Sequence, residues 1–226
     1  MPKFISIEEA VKMIPDGATI MVGGFVGCGS PLELCKALGL SGKKDLTIIA
    51  NDPGCGPGYG PVDEYYGNGW LISNHCAKRL IMSHVGILPE VGQQNLVEGT
   101  LAVDLVPQGS LAEMIRAGGF GLGGVLTPTG VGTLVEESPL CLGKQTIEGR
   151  DYLLMKPLHA DFALIGGTKC DKNGNVWYKG TTLNFNQVIA NAADVVICEP
   201  EEIVEVGEIE PENVRVYGIC VDYVCK

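Results

Sequence analysis

Two periodicities take turns along the chain. Ile7, Ala10, Val11 and Ile14 recur at helical spacing behind a Ser6–Glu9 capping box, and Pro15-Asp16-Gly17 ends that helix. Ala18 to Val22 is then a short, β-capable run of the kind a strand covered on both faces needs. After a glycine turn, Ser30 stands as an N-cap, with Pro31 at the first helical position and Glu33 three residues past the cap. That helix extends to about Leu38, where Gly39 to Gly42 stop it. Leu46 to Ala50 is the next strand and ends at Asn51-Asp52. Helix, strand, helix, strand at this spacing predicts an α/β fold: an open, mostly parallel sheet with flanking helices.

The alternation continues. Arg79–Met82 and Leu101–Val106 read as strands, and Leu88–Leu96 as part of a helix. Ser110-Leu111-Ala112-Glu113 repeats the capping box and opens a helix to Ala117, after which Gly118-Gly119 reads as a turn. Glu148-Gly149-Arg150 is a hairpin-like turn before a strand at Tyr152–Met155. Ala160–Ile165 is a further strand, and Asn173-Gly174 marks a hairpin that returns through Val176–Tyr178. Phe185–Ala193 is helical in pattern and Asp194–Cys198 is the last well-marked core strand. Val204–Val206 and Val214–Val216 read as edge strands or a surface arm. Residues 53–70, rich in Gly and Pro, stand out as a long loop of the functional or lid type. With no repeat and no boundary, residues 1–226 read as one domain.

Composition narrows the function class. A net charge of −11, from 27 acidic and 16 basic residues, argues against nucleic acid and against an anionic membrane surface. The apolar runs fall short of a membrane span, and Met1 to Asp16 reads as a helix, not a secretion signal. Nine cysteines, an odd number without any Cys-x-x-Cys, fit buried thiols in a reduced cytoplasmic setting. The three histidines His75, His84 and His159 lack metal-ligand spacing, so no metal is expected.

The candidate chemistry gathers at the strand ends. Gly23-Gly24-Phe25-Val26-Gly27-Cys28-Gly29 carries four glycines in seven residues. It is either a tight βα connection or a backbone cradle for a ligand at a helix N-terminus. It lacks the dinucleotide order, because Leu32 occupies the third glycine position; no P-loop and no Gly-x-Ser-x-Gly elbow is present either. Asn51 is either an amide donor to an oxyanion or carboxylate, or an ordinary turn residue. Cys28 is either a helix-activated thiol or a gap filler, and His84, just beyond a strand, either touches substrate or is structural. Glu9, Glu33 and Glu113 are accounted for as capping residues. No residue stands out as a nucleophile.

Taken in order, Val22–Pro31, Ile49–Asp52, Ser83–Gly86, Val106–Gly119, Leu126–Thr133 and Ala160-Asp161 resemble the α subunit of two-subunit, family I 3-oxoacid/acetate CoA-transferases. The likeness covers about residues 5–220 and rests on the combination, not on any one glycine motif. It implies a homologous β subunit, commonly in an α2β2 assembly. That subunit carries a glutamate that passes through an acyl anhydride and a glutamyl-CoA thioester. Coenzyme A is then a substrate, and no permanently bound cofactor is expected. By position, Asn51 corresponds to the oxyanion or carboxylate contact. Gly24, Phe25 and Gly27 correspond to the acyl-pocket loop. Gln108, Gly109, Gly118 and Gly119 correspond to the part abutting pocket and partner. Ile87-Leu88-Pro89-Glu90 and the loop at 53–66 depart from the family pattern and bear on the acid pocket. Alternatives are an acyl-CoA hydrolase, a sugar-phosphate isomerase on a related scaffold, or a non-enzymatic partner subunit.

Overall fold

The computed structural model describes residues 1–59, 63–86 and 88–226. The departing loop therefore lies partly, and Ile87 wholly, outside the described residues. In chain order the elements are β1 (Lys3–Ile5), α1 (Ile7–Met13), β2 (Thr19–Val22), α2 (Leu32–Leu40), β3 (Leu46–Ala50), α3 (Gly69–Ser73), β4 (Ala77–Met82), α4 (Pro89–Gly92) and β5 (Ala102–Leu105). They continue with α5 (Gln108–Gly119), β6 (Val125–Thr127), β7 (Cys141–Ile147), β8 (Arg150–Met155), β9 (Ala160–Asp171), β10 (Val176–Trp177), α6 (Asn186–Ile189), β11 (Ala193–Val204) and β12 (Tyr223–Cys225).

The main sheet runs β1-β12-β11-β9-β2-β3-β4-β5, parallel throughout, with β10 antiparallel on β9. A parallel sheet needs cover on both faces, and the strand sequences supply apolar residues for both. Ile20, Val22, Ile48, Ala50, Leu80 and Met82 pack with α1, α2 and α3 on one face. Met21, Ile49, Ile81, Ala163 and Ile165, one position out of step, pack with α5 and α6 on the other. β6, β8 and β7 form a separate antiparallel sheet that joins this second core through Leu153 and Met155. Its outer positions, Leu126, Leu142 and Ile147, remain exposed.

The chain moves outward from β2 through β3 and β4 to β5, then returns to place β9 on the other flank of β2. The direction of winding thus reverses between β2 and β9. At such a point the connections after neighbouring strands diverge and open a crevice at the carboxyl ends.

Local signals set most of the boundaries. The Ser6–Glu9 capping box forms in both directions, with Glu9 N–H donating to Ser6 Oγ and Ser6 N–H to Glu9 Oε2. Glu148 and Gly149 take φ of 50° and 78° between β7 and β8, as a tight hairpin requires. The Asn173-Gly174 hairpin forms between β9 and β10. The Leu88–Leu96 helix splits into α4 and one wide π turn at Gln93–Val97. The helix expected over 185–193 shrinks to α6, because Ala193 already joins β11.

Two capping assignments are corrected. Pro31, not Ser30, caps α2, and it offers no side-chain acceptor. Glu199 of β11 does the work instead: its carboxylate accepts from Glu33 N–H at 3.1 Å and Leu34 N–H at 2.7 Å. The sheet brings this long side chain over the helix end, whereas Ser30 N–H is bonded back to Gly27 within the glycine loop. α5 likewise starts at Gln108, behind Pro107, so Ser110 is an interior helical residue and Glu113 pairs with Arg116 at 2.7 Å. The nine cysteines are free. Burial raises the pKa of the Cys35, Cys55 and Cys76 thiols, as expected of packing cysteines. Among the described residues no helix is long and apolar enough to cross a membrane.

Burial raises the Glu199 pKa above the ordinary glutamate value, partly opposed by the α2 amides that favour its charge. The protonation-linked part of its contribution is therefore complete below the unfolded pKa of ~4.3 and is lost as pH rises through the folded value, while the bonds to the α2 amides remain. Glu199→Ala should lower unfolding free energy by about 1–2 kcal/mol, since it strips the α2 end of its partner. Urea unfolding measures this, and the stability advantage of wild type over Glu199→Gln should shrink as pH rises.

Candidate functional site

The carboxyl ends of β2, β3, β4 and β5 lie side by side, and each delivers a polar group. Gly23 N–H extends the β2 ladder to Leu164 at 2.9 Å, after which the chain turns sharply. Phe25 and Cys28 exchange two backbone hydrogen bonds, of 3.0 and 2.9 Å, around Val26 and Gly27 at φ of 49° and 81°. Positive φ at both central residues is the I′ turn geometry. The turn holds Phe25 45% exposed at its edge, with its ring centroid 6.5 Å from that of His84.

Why this loop is glycine-rich is answered by the chain itself. A Cβ on Gly23 would lie 1.8 Å from Asn186 Oδ1, and one on Gly27 would lie 1.9 Å from the Tyr66 ring. Asn184 Oδ1 accepts from Gly24 N–H at 3.0 Å, and its Nδ2 donates to Cys28 O at 2.8 Å. Asn186 accepts from Gly166 N–H and donates to Gly29 O at 2.9 Å. The tight-connection reading accounts for these glycines, and Glu199 already occupies the helix end expected to face a ligand. Neither asparagine is evident from local sequence, because both act on a loop some 160 positions away.

The strand after this loop supplies the centre of the cluster. Asn51 is fully buried and Asp52 is 3% exposed. Asn51 Nδ2 donates to Asp52 Oδ2 at 2.8 Å, and Asn51 Oδ1 accepts from Gln108 Nε2 at 2.6 Å and Ser83 Oγ at 3.1 Å. Asp52 also accepts from Val26 N–H at 2.9 Å and Gly54 N–H at 2.8 Å. A single hydrogen-bonded row therefore crosses the ends of four strands: Val26 after β2, Asp52 and Asn51 after β3, Ser83 after β4, and Gln108 after β5. Ser83 and Asp52 were visible only inside longer motifs; the signal for Asp52 was a carboxylate directly after Asn51 at a strand end.

The structure brings Gly24, Phe25, Gly27, Asn51, His84, Gln108 and Gly109 to this end of the sheet. It does not bring Gly118 and Gly119 there. They are the last residues of α5, about 15 Å from Gln108 at 1.5 Å per residue. There a Cβ on Gly118 would lie 1.7 Å from Leu158 O, and one on Gly119 would lie 2.6 Å from Asn191 O. Helix packing therefore accounts for both, and they continue α5 where a turn was expected.

The exposed end of the row opens on a cavity of about 470 Å³ lined by Phe25, Gln108, Ala112, Phe185 and Val188, with the Glu113–Arg116 pair at one side. Its wall is largely apolar, and Gln108 provides an amide. A smaller hollow of about 300 Å³ lies behind the glycine loop, between Cys28, Tyr66, Thr182 and Glu199. Cys28 Sγ sits 3.5 Å from Thr181 Oγ1. Two carboxylates border the cluster and both are engaged, Asp52 with three donors and Glu113 with Arg116. The arrangement can orient a small carbonyl or carboxylate compound against a fixed amide, with an apolar wall for its carbon chain.

Comparison with known proteins bears on this arrangement. The profile described as Coenzyme A transferase matches residues 4–226. The chain is 47% identical over 224 residues to acetate CoA-transferase subunit alpha of Escherichia coli K12, spanning 98% of this chain and 96% of that protein. It is 46% identical over 224 residues to the acetoacetyl-CoA:acetate/butyrate CoA transferase alpha subunit of Clostridium acetobutylicum, spanning 99% and 97%. In fold it resembles an acyl-CoA transferase of Escherichia coli O157:H7, with a TM-score of 0.85 and 24% identity, over 99% of this chain and 47% of that one. From the ordered strand-end motifs and this full-length similarity, the chain belongs to the coenzyme A transferase family.

Proposed function

We propose that this chain is the α subunit of a cytoplasmic two-subunit CoA-transferase that moves CoA between an acyl-CoA and a short-chain or 3-oxo carboxylic acid. A homologous β subunit would supply the nucleophilic glutamate, and the working assembly would be α2β2. The observation that carries this reading is the strand-end row itself. It presents an amide and an apolar cavity, yet its one carboxylate, Asp52, is buried and committed to structural hydrogen bonds, and Glu113 at the side of the cavity is paired with Arg116. The near-complete overlap with relatives named as α subunits supports the division of labour.

In this scheme a glutamate oxygen of the β subunit attacks the thioester carbonyl carbon, the C–S bond breaks, and CoA thiolate leaves. Thiolate attack on the glutamyl carbonyl of the anhydride then releases the first acid and forms the enzyme thioester. The second acid reverses both steps. Phe25 and the Gly24–Gly27 turn would wall the acyl group, His84 would pack behind Phe25, and Gln108 with Gly109 would meet the reacting end. Asn51 keeps one Nδ2 hydrogen beyond its bond to Asp52 and would serve the oxyanion or carboxylate. A short aliphatic acid matches the mostly apolar lining.

Co-expression with a β subunit should give a complex that exchanges CoA between acetate and butyryl- or acetoacetyl-CoA, whereas this chain alone should show no turnover. A stable pair without exchange across a wide acid panel would sink the proposal, and CoA release without any acceptor acid would point to a hydrolase. Asn51→Ala should lower turnover by roughly 3 kcal/mol in activation free energy while the subunits still co-purify. Turnover equal to wild type would remove Asn51 from the reaction.

A further inference from the structure

We infer that Asp52 is the positioning residue of this site, setting both the glycine turn and the polarity of the Asn51 amide. The inference rests on the CoA-transferase reading for its kinetic consequence but on geometry alone for the interaction.

Three observations carry it. First, Asp52 is almost wholly buried, so its carboxylate is not a surface charge, and it accepts three hydrogen bonds within 2.9 Å. Second, one of those donors is the N–H of Val26, a β-branched residue at φ 49°. Such residues are rare in the left-handed region and persist only where the surroundings hold them. The Asp52 bond supplies that hold and so fixes the turn that presents Phe25. Third, a carboxylate offers acceptors only. It dictates that Asn51 turns Nδ2 toward Asp52 and Oδ1 toward Ser83 and Gln108. Gln108 must then give an Nε2 hydrogen to Asn51, which orients the amide that lines the cavity. One buried side chain thereby coordinates the loops after β2, β3 and β5.

Asp52→Asn keeps the shape and replaces one acceptor with a donor, which confronts either the Gly54 N–H or both the Val26 N–H and the Asn51 Nδ2. In the α–β complex it should lower kcat by about a hundredfold, the scale of a 1 Å misplacement, with the KM for acyl-CoA nearly unchanged. Two further variants separate positioning from folding. Val26→Gly/Asp52→Asn relieves the turn and should recover thermal stability without recovering turnover. Asn51→Asp/Asp52→Asn swaps donor and acceptor across the pair, so it should restore the Gln108 side-chain amide resonances while turnover stays low, because an acceptor again faces Ser83 and Gln108 but the Asn51 Nδ2 donor is gone. Wild-type kcat in Asp52→Asn, or full recovery by Val26→Gly/Asp52→Asn, overturns the inference. If the wild-type complex shows no CoA exchange, the functional reading fails and the inference is judged on this chain alone. There Asp52→Asn should abolish hydrogen-exchange protection of the Val26 amide or of the Gly54 amide, whichever faces the new NH2 group, and shift the Gln108 side-chain amide resonances; unchanged protection at both amides and unchanged shifts overturn it.

Discussion

Everything in this molecule follows from a parallel sheet buried on both faces. Met21 and Val22, Ile49 and Ala50, Ile81 and Met82 are neighbours in sequence that enter opposite cores. Unpaired polar groups are costly in either face, because each gives up the full desolvation of a buried donor or acceptor. Polar chemistry is pushed to the strand ends, and four adjacent strands ending together yield a row, not scattered residues. The reversal of winding between β2 and β9 then opens the row to a cavity.

A polar row next to a core must be satisfied along its length, since a half-satisfied network is worse than none. Here burial and exposure are graded. Asp52 is sealed and engaged by three donors, Asn51 is buried with one Nδ2 hydrogen left over, and Gln108 and Phe25 reach the cavity. The sealed members contribute rigidity and direction, and the open members meet whatever enters. That grading suits transition-state stabilisation, where donors aimed in advance avoid reorganisation during the reaction.

Much of this was legible from sequence, for identifiable reasons. The central strands carry period-two apolar residues on both faces, so β2, β3 and β4 were placed within a residue or two. The parallel sheet and the α subunit likeness both stood on such local patterns, and the fold and family agree with them. What stayed hidden depends on distant partners. β1 and β12 are three-residue strands that exist only because they pair with one another and with β11. In the β6-β8-β7 sheet, β8 was legible from its apolar run at Tyr152–Met155, whereas β7 has mostly exposed positions and lacks the apolar alternation that marks a strand. Glu199 caps a helix 165 residues earlier in the chain, and no capping pattern spans that distance. Ser30 fitted the local rule and lost to it.

The glycine loop shows how one sequence feature supports two physical explanations that only geometry separates. Glycines near a helix start suggest a phosphate cradle, and the same glycines are required when backbone packs tightly on its own chain. Asn186 and Tyr66 occupy the space a side chain would need at Gly23 and Gly27, and Glu199 takes the helix amides. The loop is therefore filled from within. Its free surface is the Phe25 edge, on the side of the turn that faces Gln108 and the larger cavity. Glycine here is a condition for close assembly, and the recognition surface is made by the residues that this assembly holds in place.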